Sequence, residues 1–340
     1  MILDPGLDEP APRFSVLMAS YNHSGYVEEA LESVAEQTNR SFEIIVVDDG
    51  STDDTGEKVT RWMEEYRHRA PNRTRLHRIA NAGQSAAFAH GFADCRGEYV
   101  CLLDSDDRWL NGKLEAVDRI AADRPRAGMI VHPLYVINTA GRRTGDVRPL
   151  GARLSEGDCR EPLRRTGRHV APATSGVVIR ADIFRQLVPM PTTSFTYGAD
   201  AYLTFGATLL AEVGVVPVPL AEYRIHPEGQ YLRRMLSAEG LTRSLELQRT
   251  IASHFELEHV LRQNSYFMRT QFALHKLQGG LAAQVDDYRD LVRATLLDGS
   301  FGWVARIGLA AYWSACLVAP RPAFRRMWAT FQALHTGLTT

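Results

Sequence analysis

Three carboxylates within four residues, Asp104-Ser105-Asp106-Asp107, follow directly on the apolar run Tyr99-Val100-Cys101-Leu102-Leu103. Such crowding is unfavourable through like-charge repulsion unless a cation or a solvent-filled cleft relieves it. In extended geometry Asp104 and Asp106 project to one side, and Asp107 begins the turn into the next helix. Hard oxygen ligands on a short loop suit Mg2+ or Mn2+, which keep water in their shells and bind the phosphate oxygens of a substrate. The plainer reading makes Asp107 a helix cap and the other two solvated turn residues. The apolar strand before them, and the polar groups gathered at the same sheet edge, favour the metal.

A second acidic group, Asp48-Asp49-Gly50-Ser51-Thr52, also ends an apolar strand. Asp-Gly makes the bend and Ser51 or Asp53 caps the following helix. A strand-end aspartate can in addition accept a hydrogen bond from a base N–H, and Tyr21 offers a stacking face that suits a pyrimidine. Asp200 falls in the first turn of a predicted helix, where its charge complements the N-terminal dipole. His226 is held extended by Pro227; it is read either as a ligand better suited to Mn2+ than to Mg2+ or as an exposed loop residue. Trp109 either stacks on a sugar ring or anchors a helix in the core. Arg233 and Arg234, after Gly229, are either a lid over phosphate oxygens or a solvated helix start.

The elements that must position these residues alternate from Phe14 onward: FSVLMAS, the helix pattern GYVEEALESVAEQ, FEIIVVDD, and a charged helix from Asp53 to about Arg69. A short strand at Arg75 to Ile79, a small-residue helix from Gln84 to Asp94, the strand Tyr99 to Leu103 and a helix from about Asn111 to Asp123 follow. Alternation of this kind predicts an α/β fold, with parallel strands joined by right-handed crossovers and ligands beyond the strands' carboxyl ends. Ser20, Tyr21, Asp48, Asp49 and the Asp104 cluster all belong to that edge. One strand is predicted over Met129 to Ile137, another at VVIR after Thr174-Ser175-Gly176, and helical periodicity runs from Arg234 almost to Thr340. Acceptor-binding residues are expected in the less regular region 128–180, with Thr174, Ser175 and Gly176 assigned there together with Trp109.

The motifs FSVLMASYN, IIVVDDGSTDDT, NAGQSAAFAHG and GEYVCLLDSDDRW, in this order, resemble the nucleotide-binding half of inverting family-2 glycosyltransferases of the GT-A fold. The likeness extends through TSGVVIR, GADAYL and EYRIHP. It implies a Rossmann-like, mostly parallel sheet flanked by helices over 13–230, divided at 125 into nucleotide-binding and acceptor halves, after an extended 1–12 and before a helical 231–340. It further implies that Ala19, Tyr21 and Asp49 border the nucleoside with Asp48 beside them, and that Asp104 and Asp106 are the Asp-x-Asp pair, with Ser105 between them on the donor side. The metal ligand is then Asp106 or Asp107, with His226 reaching the metal or diphosphate, and Asp200 matches the catalytic base. The expected cofactor is Mn2+ or Mg2+; the expected partners are a nucleotide-sugar donor, foremost a UDP-sugar, and a hydroxyl acceptor on a surface glycan, lipid-linked precursor or small metabolite. Processive relatives carry Gln-x-x-Arg-Trp, whereas this sequence has Gln230-Tyr231-Leu232-Arg233-Arg234, so single-sugar transfer is expected. Ala199 stands where many relatives have a second acidic residue.

Two other classes fit the residues less well. A sugar-nucleotide pyrophosphorylase needs a Gly-rich basic loop after the first strand, where this chain has Ala19-Ser20-Tyr21-Asn22. A non-catalytic sugar-nucleotide binder would tolerate loss of the acids, and all are present. A formal net charge of -1 over 340 residues gives no global field for nucleic acid. Cys95, Cys101, Cys159 and Cys316 lack metal-type spacing and are read as reduced, and the start lacks a signal-peptide pattern, so a cytoplasmic protein is expected. The apolar stretch Phe301 to Ala319 contains Arg306, unfavourable by roughly 3 kcal/mol at a span's centre, and is not expected to cross a bilayer. With Trp303, Trp313, Trp328, Arg321, Arg325 and Arg326 nearby, the tail is expected to pack on the core, to pair with a second copy or to lie at a membrane surface.

Overall fold

In the computed structural model, which describes residues 11–65, 74–190, 198–225, 236–279, 281–299 and 301–336, the alternating segments become parallel strands. β1 (Phe14–Ser20), β2 (Phe42–Asp48), β3 (Thr74–Arg78) and β4 (Tyr99–Asp104) are separated by α1 (Val27–Ala35), α2 (Thr55–Glu65) and α3 (Gln84–Phe92). β1 and β2 are almost wholly buried, as near-continuous apolar runs covered on both faces should be. One face packs Leu17, Val47, Val100, Phe88 and Ile179 with helices of the later chain; the other packs Val16, Val46, Leu103, Leu31 and Trp62. Gly97 admits β4 close to β1, since a Cβ there would stand 2.5 Å from the Ser15 nitrogen.

After the acidic loop come β5 (Arg108–Trp109), α4 (Lys113–Asp123), β6 (Ala127–Val131), β7 (Leu134–Ile137), β8 (Arg143–Arg148) and α5 (Arg160–Thr166). β9 (Val177–Arg180), α6 (Ala181–Leu187), α7 (Ala199–Leu210), β10 (Glu212–Val215) and β11 (Ala221–Arg224) complete this part. The main sheet has the order β10-β6-β9-β4-β1-β2-β3, and a second sheet the order β5-β11-β7-β8. β9 runs antiparallel to both β4 and β6, the exception in an otherwise parallel main sheet.

The expected single strand from Met129 to Ile137 is in fact two strands in different sheets. His132-Pro133 lies between them, and a proline has no N–H to give to a ladder. The second sheet is fastened to α1 by ion pairs: buried Glu222 takes Arg108 and Arg143, while Glu29 takes Arg108 and Arg224.

The tail folds as α8 (Ala238–His254), α9 (Ser265–Gln278), α10 (Leu281–Leu296), α11 (Trp303–Val318) and α12 (Arg321–Thr336). Leu245, Phe272, Trp313, Phe324 and Trp328 form its own core, while Ile251, Leu257 and Val260 join the core of the main sheet. Among the described residues no helix is long and apolar enough to cross a membrane.

Candidate active site

Strand register sets the site. Ser20 pairs with Asp48 across β1 and β2, and Ala19 with Asp104 across β1 and β4, so the chemistry-bearing residues leave their strands along one edge. The loops beyond are laced together. Asn22, left-handed at φ 54°, donates its N–H to Ser51 Oγ at 3.0 Å and accepts the Thr52 N–H at 2.8 Å. The Ser24 N–H donates to Asp53 at 3.1 Å, and His23 Nδ1 lies 2.8 Å from Ser105 Oγ.

Asp48 and Asp49 are both buried in this lacing. Asp48 accepts the Ser51 N–H at 3.0 Å, while the two oxygens of Asp49 accept the Ala82 and Gly83 N–H groups, each at 2.8 Å. These carboxylates therefore fix the loops that follow β1 and β2, where the Tyr21 ring is 38 % exposed. Ala19 is partly exposed beside it, and the buried Ser20 hydroxyl has no partner among the described residues.

The acidic loop is clamped from below. Asp107 is buried, with one oxygen accepting the Arg224 N–H at 2.8 Å and the other the Ser175 hydroxyl at 2.7 Å. Ser175 Oγ also accepts the Asp104 N–H at 3.0 Å, and Arg224 Nε donates to the Asp106 carbonyl at 2.7 Å. Lys113, fully buried, donates to the Ser175 carbonyl at 2.7 Å. Asp106 and Asp104, by contrast, are partly exposed.

The geometry gives the expected site residues the following surroundings. Asp107, one of two expected metal ligands, has both oxygens turned into protein, so it is a strut of the loop. Ser105 is buried on His23, away from the open edge. Trp109 is a core residue beneath the Lys113 ammonium, which stands 3.6 Å from its ring centroid. Thr174, Ser175 and Gly176 are likewise buried: the Ser175 hydroxyl donates to Asp107, and a Cβ on Gly176 would stand 2.7 Å from the His132 carbonyl. All four are buried, and Ser175 is the one that bonds both Asp104 and Asp107. His226, Arg233 and Arg234 lie outside the described residues. Lys113, Arg224 and Gln84 were not foreseen as parts of the site; Arg224 lay within the EYRIHP motif, the one signal for it.

Asp200 stands in the first turn of α7, which opens after Gly198, left-handed at φ +74°. Its charge reaches Asp104. Burial first, then Asp106 and Asp200, hold the Asp104 carboxyl well above the usual carboxylate range, and burial with Asp106 and Asp104 does the same for Asp107. Gln84 joins the two sides: Nε2 donates to Asp104 at 3.2 Å and Oε1 accepts the Ala199 N–H at 3.3 Å.

Mutually repelling carboxylates at an open edge are the donor set that a hard divalent cation relieves. Among the described residues no three His, Cys, Asp or Glu side chains are grouped so as to hold a metal ion by themselves.

The family model described as "Glycosyl transferase family 2" matches residues 15–186. An uncharacterized glycosyltransferase of Nostoc is 31 % identical over 221 residues, covering 65 % of this chain and 67 % of its own. The minor teichoic acid biosynthesis protein GgaA of Bacillus subtilis is 30 % identical over 127 residues, covering 36 % of this chain and 28 % of its own. Among solved structures, residues 1–349 of Staphylococcus aureus TarS in complex with UDP-GlcNAc superpose with a TM-score of 0.57 at 18 % identity, covering 96 % of this chain and 92 % of that one. The mannosyltransferase PcManGT of Pyrobaculum calidifontis, in complex with GDP-Man and Mn2+, gives a TM-score of 0.51 at 17 % identity, covering 97 % and 87 %. At these identities the two structures speak for the fold, and they agree with the mostly parallel sheet and helical tail described above.

Proposed function

The chain belongs to glycosyl transferase family 2 and is a glycosyltransferase; from that premise we propose that it moves a single sugar from a UDP-sugar to an acceptor hydroxyl, inverting the anomeric centre. The observation that supports this reading is the Gln84 bridge, which joins Asp104 of the acidic loop to the first turn of α7, where Asp200 stands. Tyr21 provides the stacking face for the base, within loops fixed by Asp48 and Asp49. The UDP-GlcNAc held by TarS supports a uridine donor.

Asp106, with Asp104 beside it, would hold Mn2+ or Mg2+. When bound, the cation offsets the charge that develops on the departing diphosphate. The chain's own residues do the rest. Asp200 takes the acceptor hydroxyl's proton as that oxygen bonds to the anomeric carbon. The bond from that carbon to the diphosphate breaks on the opposite face, and its electron pair leaves with the phosphate oxygen. One carboxylate suffices because no covalent enzyme intermediate forms. The start of α7 steadies the ionised Asp200, whose oxygen accepts the Ala201 N–H at 2.9 Å.

The teichoic acid name of the Bacillus relative supports an acceptor among surface polymers or their lipid-linked precursors. Asp200→Asn tests the base: UDP release from a screened UDP-sugar should fall about 100-fold or more, with donor affinity within about threefold of wild type. Unchanged UDP release would remove Asp200 from that role.

A further inference from the structure

α11 turns one apolar face outward. Trp303, Ile307, Ala311, Ala315 and Val318, spaced by three or four residues along a 16-residue helix, are all exposed: Trp303 by 71 %, Ile307 by 54 % and Val318 by 82 %. The buried side of the same helix carries Trp313 and Cys316. Arg306, which interrupts the apolar sequence, leaves the face intact because its guanidinium folds back, Nε to the Phe301 carbonyl at 2.8 Å and a terminal nitrogen to the Leu296 carbonyl at 3.3 Å. The same bond brings Leu296 and Leu297, both exposed, to the Trp303 end of the stripe.

Charge tells what covers this face. From residue 299 to residue 340 the sequence holds four arginines and no lysine, aspartate or glutamate, in a chain of net charge -1. Arg321, Arg325 and Arg326 are exposed just past Val318. A second copy of this segment docked on the face would bring no acidic residue from 299–340 to pair with these arginines, which disfavours that partner. An apolar helical face followed by three exposed arginines, with an exposed tryptophan at its other end, is what an anionic lipid surface accepts.

We propose that α11 and the start of α12 dock the protein on an anionic lipid bilayer, with α11 lying in the plane of the interface. The proposal concerns a surface apart from the acidic loop and holds whatever sugar is transferred.

The test is flotation of the full chain with phosphatidylcholine vesicles, with and without about one third phosphatidylglycerol. Of the five tryptophans, Trp62, Trp109, Trp313 and Trp328 are buried, so quenching of emission by brominated lipid reads Trp303. The expected result is flotation with the anionic vesicles and loss of it for the Trp303→Glu/Ile307→Glu double variant. Arg325→Ser/Arg326→Ser should partition about thirtyfold more weakly, roughly fivefold per arginine. Trp303→Phe should still float and lose the quenching. All these positions are exposed, and an unchanged melting temperature shows that the variants fold. The proposal is overturned if wild type stays unbound with anionic vesicles or if the double variant floats as well as wild type. It is overturned equally if light scattering finds a dimer that Ile307→Glu dissolves.

Discussion

Gln84 spans the gap between the acidic loop and the helix that carries Asp200, bonding Asp104 on one side and the Ala199 N–H on the other. It touches neither donor nor acceptor in the proposed reaction and is a positioning residue. Gln84→Leu, similar in size but unable to bond, should lower kcat about tenfold or more while KM for the donor moves less than about threefold, because the base is misplaced but the nucleotide pocket is not. Equal kinetics for the variant would show that the bridge is incidental. The carboxylates were readable from residue type and spacing alone, since three acids after an apolar strand demand an explanation. Gln84 was not: a glutamine at a helix start looks solvated until the fold sets Asp104 and Ala199 on either side of it. The partners of Arg224 and Asp107 were hidden for the same reason. Which carboxylate faces solvent and which faces protein depends on β11 and on Ser175, both remote in sequence.

At the scale of elements, the beginning of α4 lies beneath the acidic loop. Lys113 is fully buried there, and desolvation presses it from 10.5 down to about 7, against the opposing pull of Cys101 and Asp107. Between about pH 7 and 10.5 the unfolded chain holds a proton on this lysine that the folded chain has lost, so the Lys113 contribution makes stability rise with pH across that window. Below it both states are protonated and the full cost of burying the charge is present. Lys113→Met should remove this slope: the melting temperature of wild type relative to the variant should climb from pH 7 to 10, and parallel curves would contradict the assignment. The alternating strands and helices were legible because apolar period and length distinguish them. The break at His132-Pro133 and the antiparallel β9 were not, since an apolar run does not reveal which sheet, or which direction, it will join. Trp109 shows the limit of residue type as a guide, for an aromatic beside an acidic cluster serves the core as readily as a sugar.

Across the whole molecule, the helical tail is joined to the catalytic part by Arg168. Its guanidinium donates to the carbonyls of Gln263 at 2.8 Å and Ala294 at 2.9 Å, and also to that of Leu297. Arg168→Ala leaves those carbonyls without their donor and should cost about 2–4 kcal/mol, with the tail melting ahead of the sheet in calorimetry. A single unshifted transition would show that the shared core at Ile251, Leu257 and Val260 suffices. The tail's helices and the arginines beside their apolar stretch were legible; their separate core was not, because it depends on which faces meet. The central claim, that Asp106 and its neighbours form a metal-assisted site for a uridine diphosphate, is tested most directly by titration calorimetry of UDP into wild type and Asp106→Ala, with Mn2+ and with EDTA. The account predicts binding by wild type that EDTA abolishes, and at least about tenfold weaker binding by the variant in Mn2+. UDP binding that is indifferent both to EDTA and to the loss of Asp106 would contradict it.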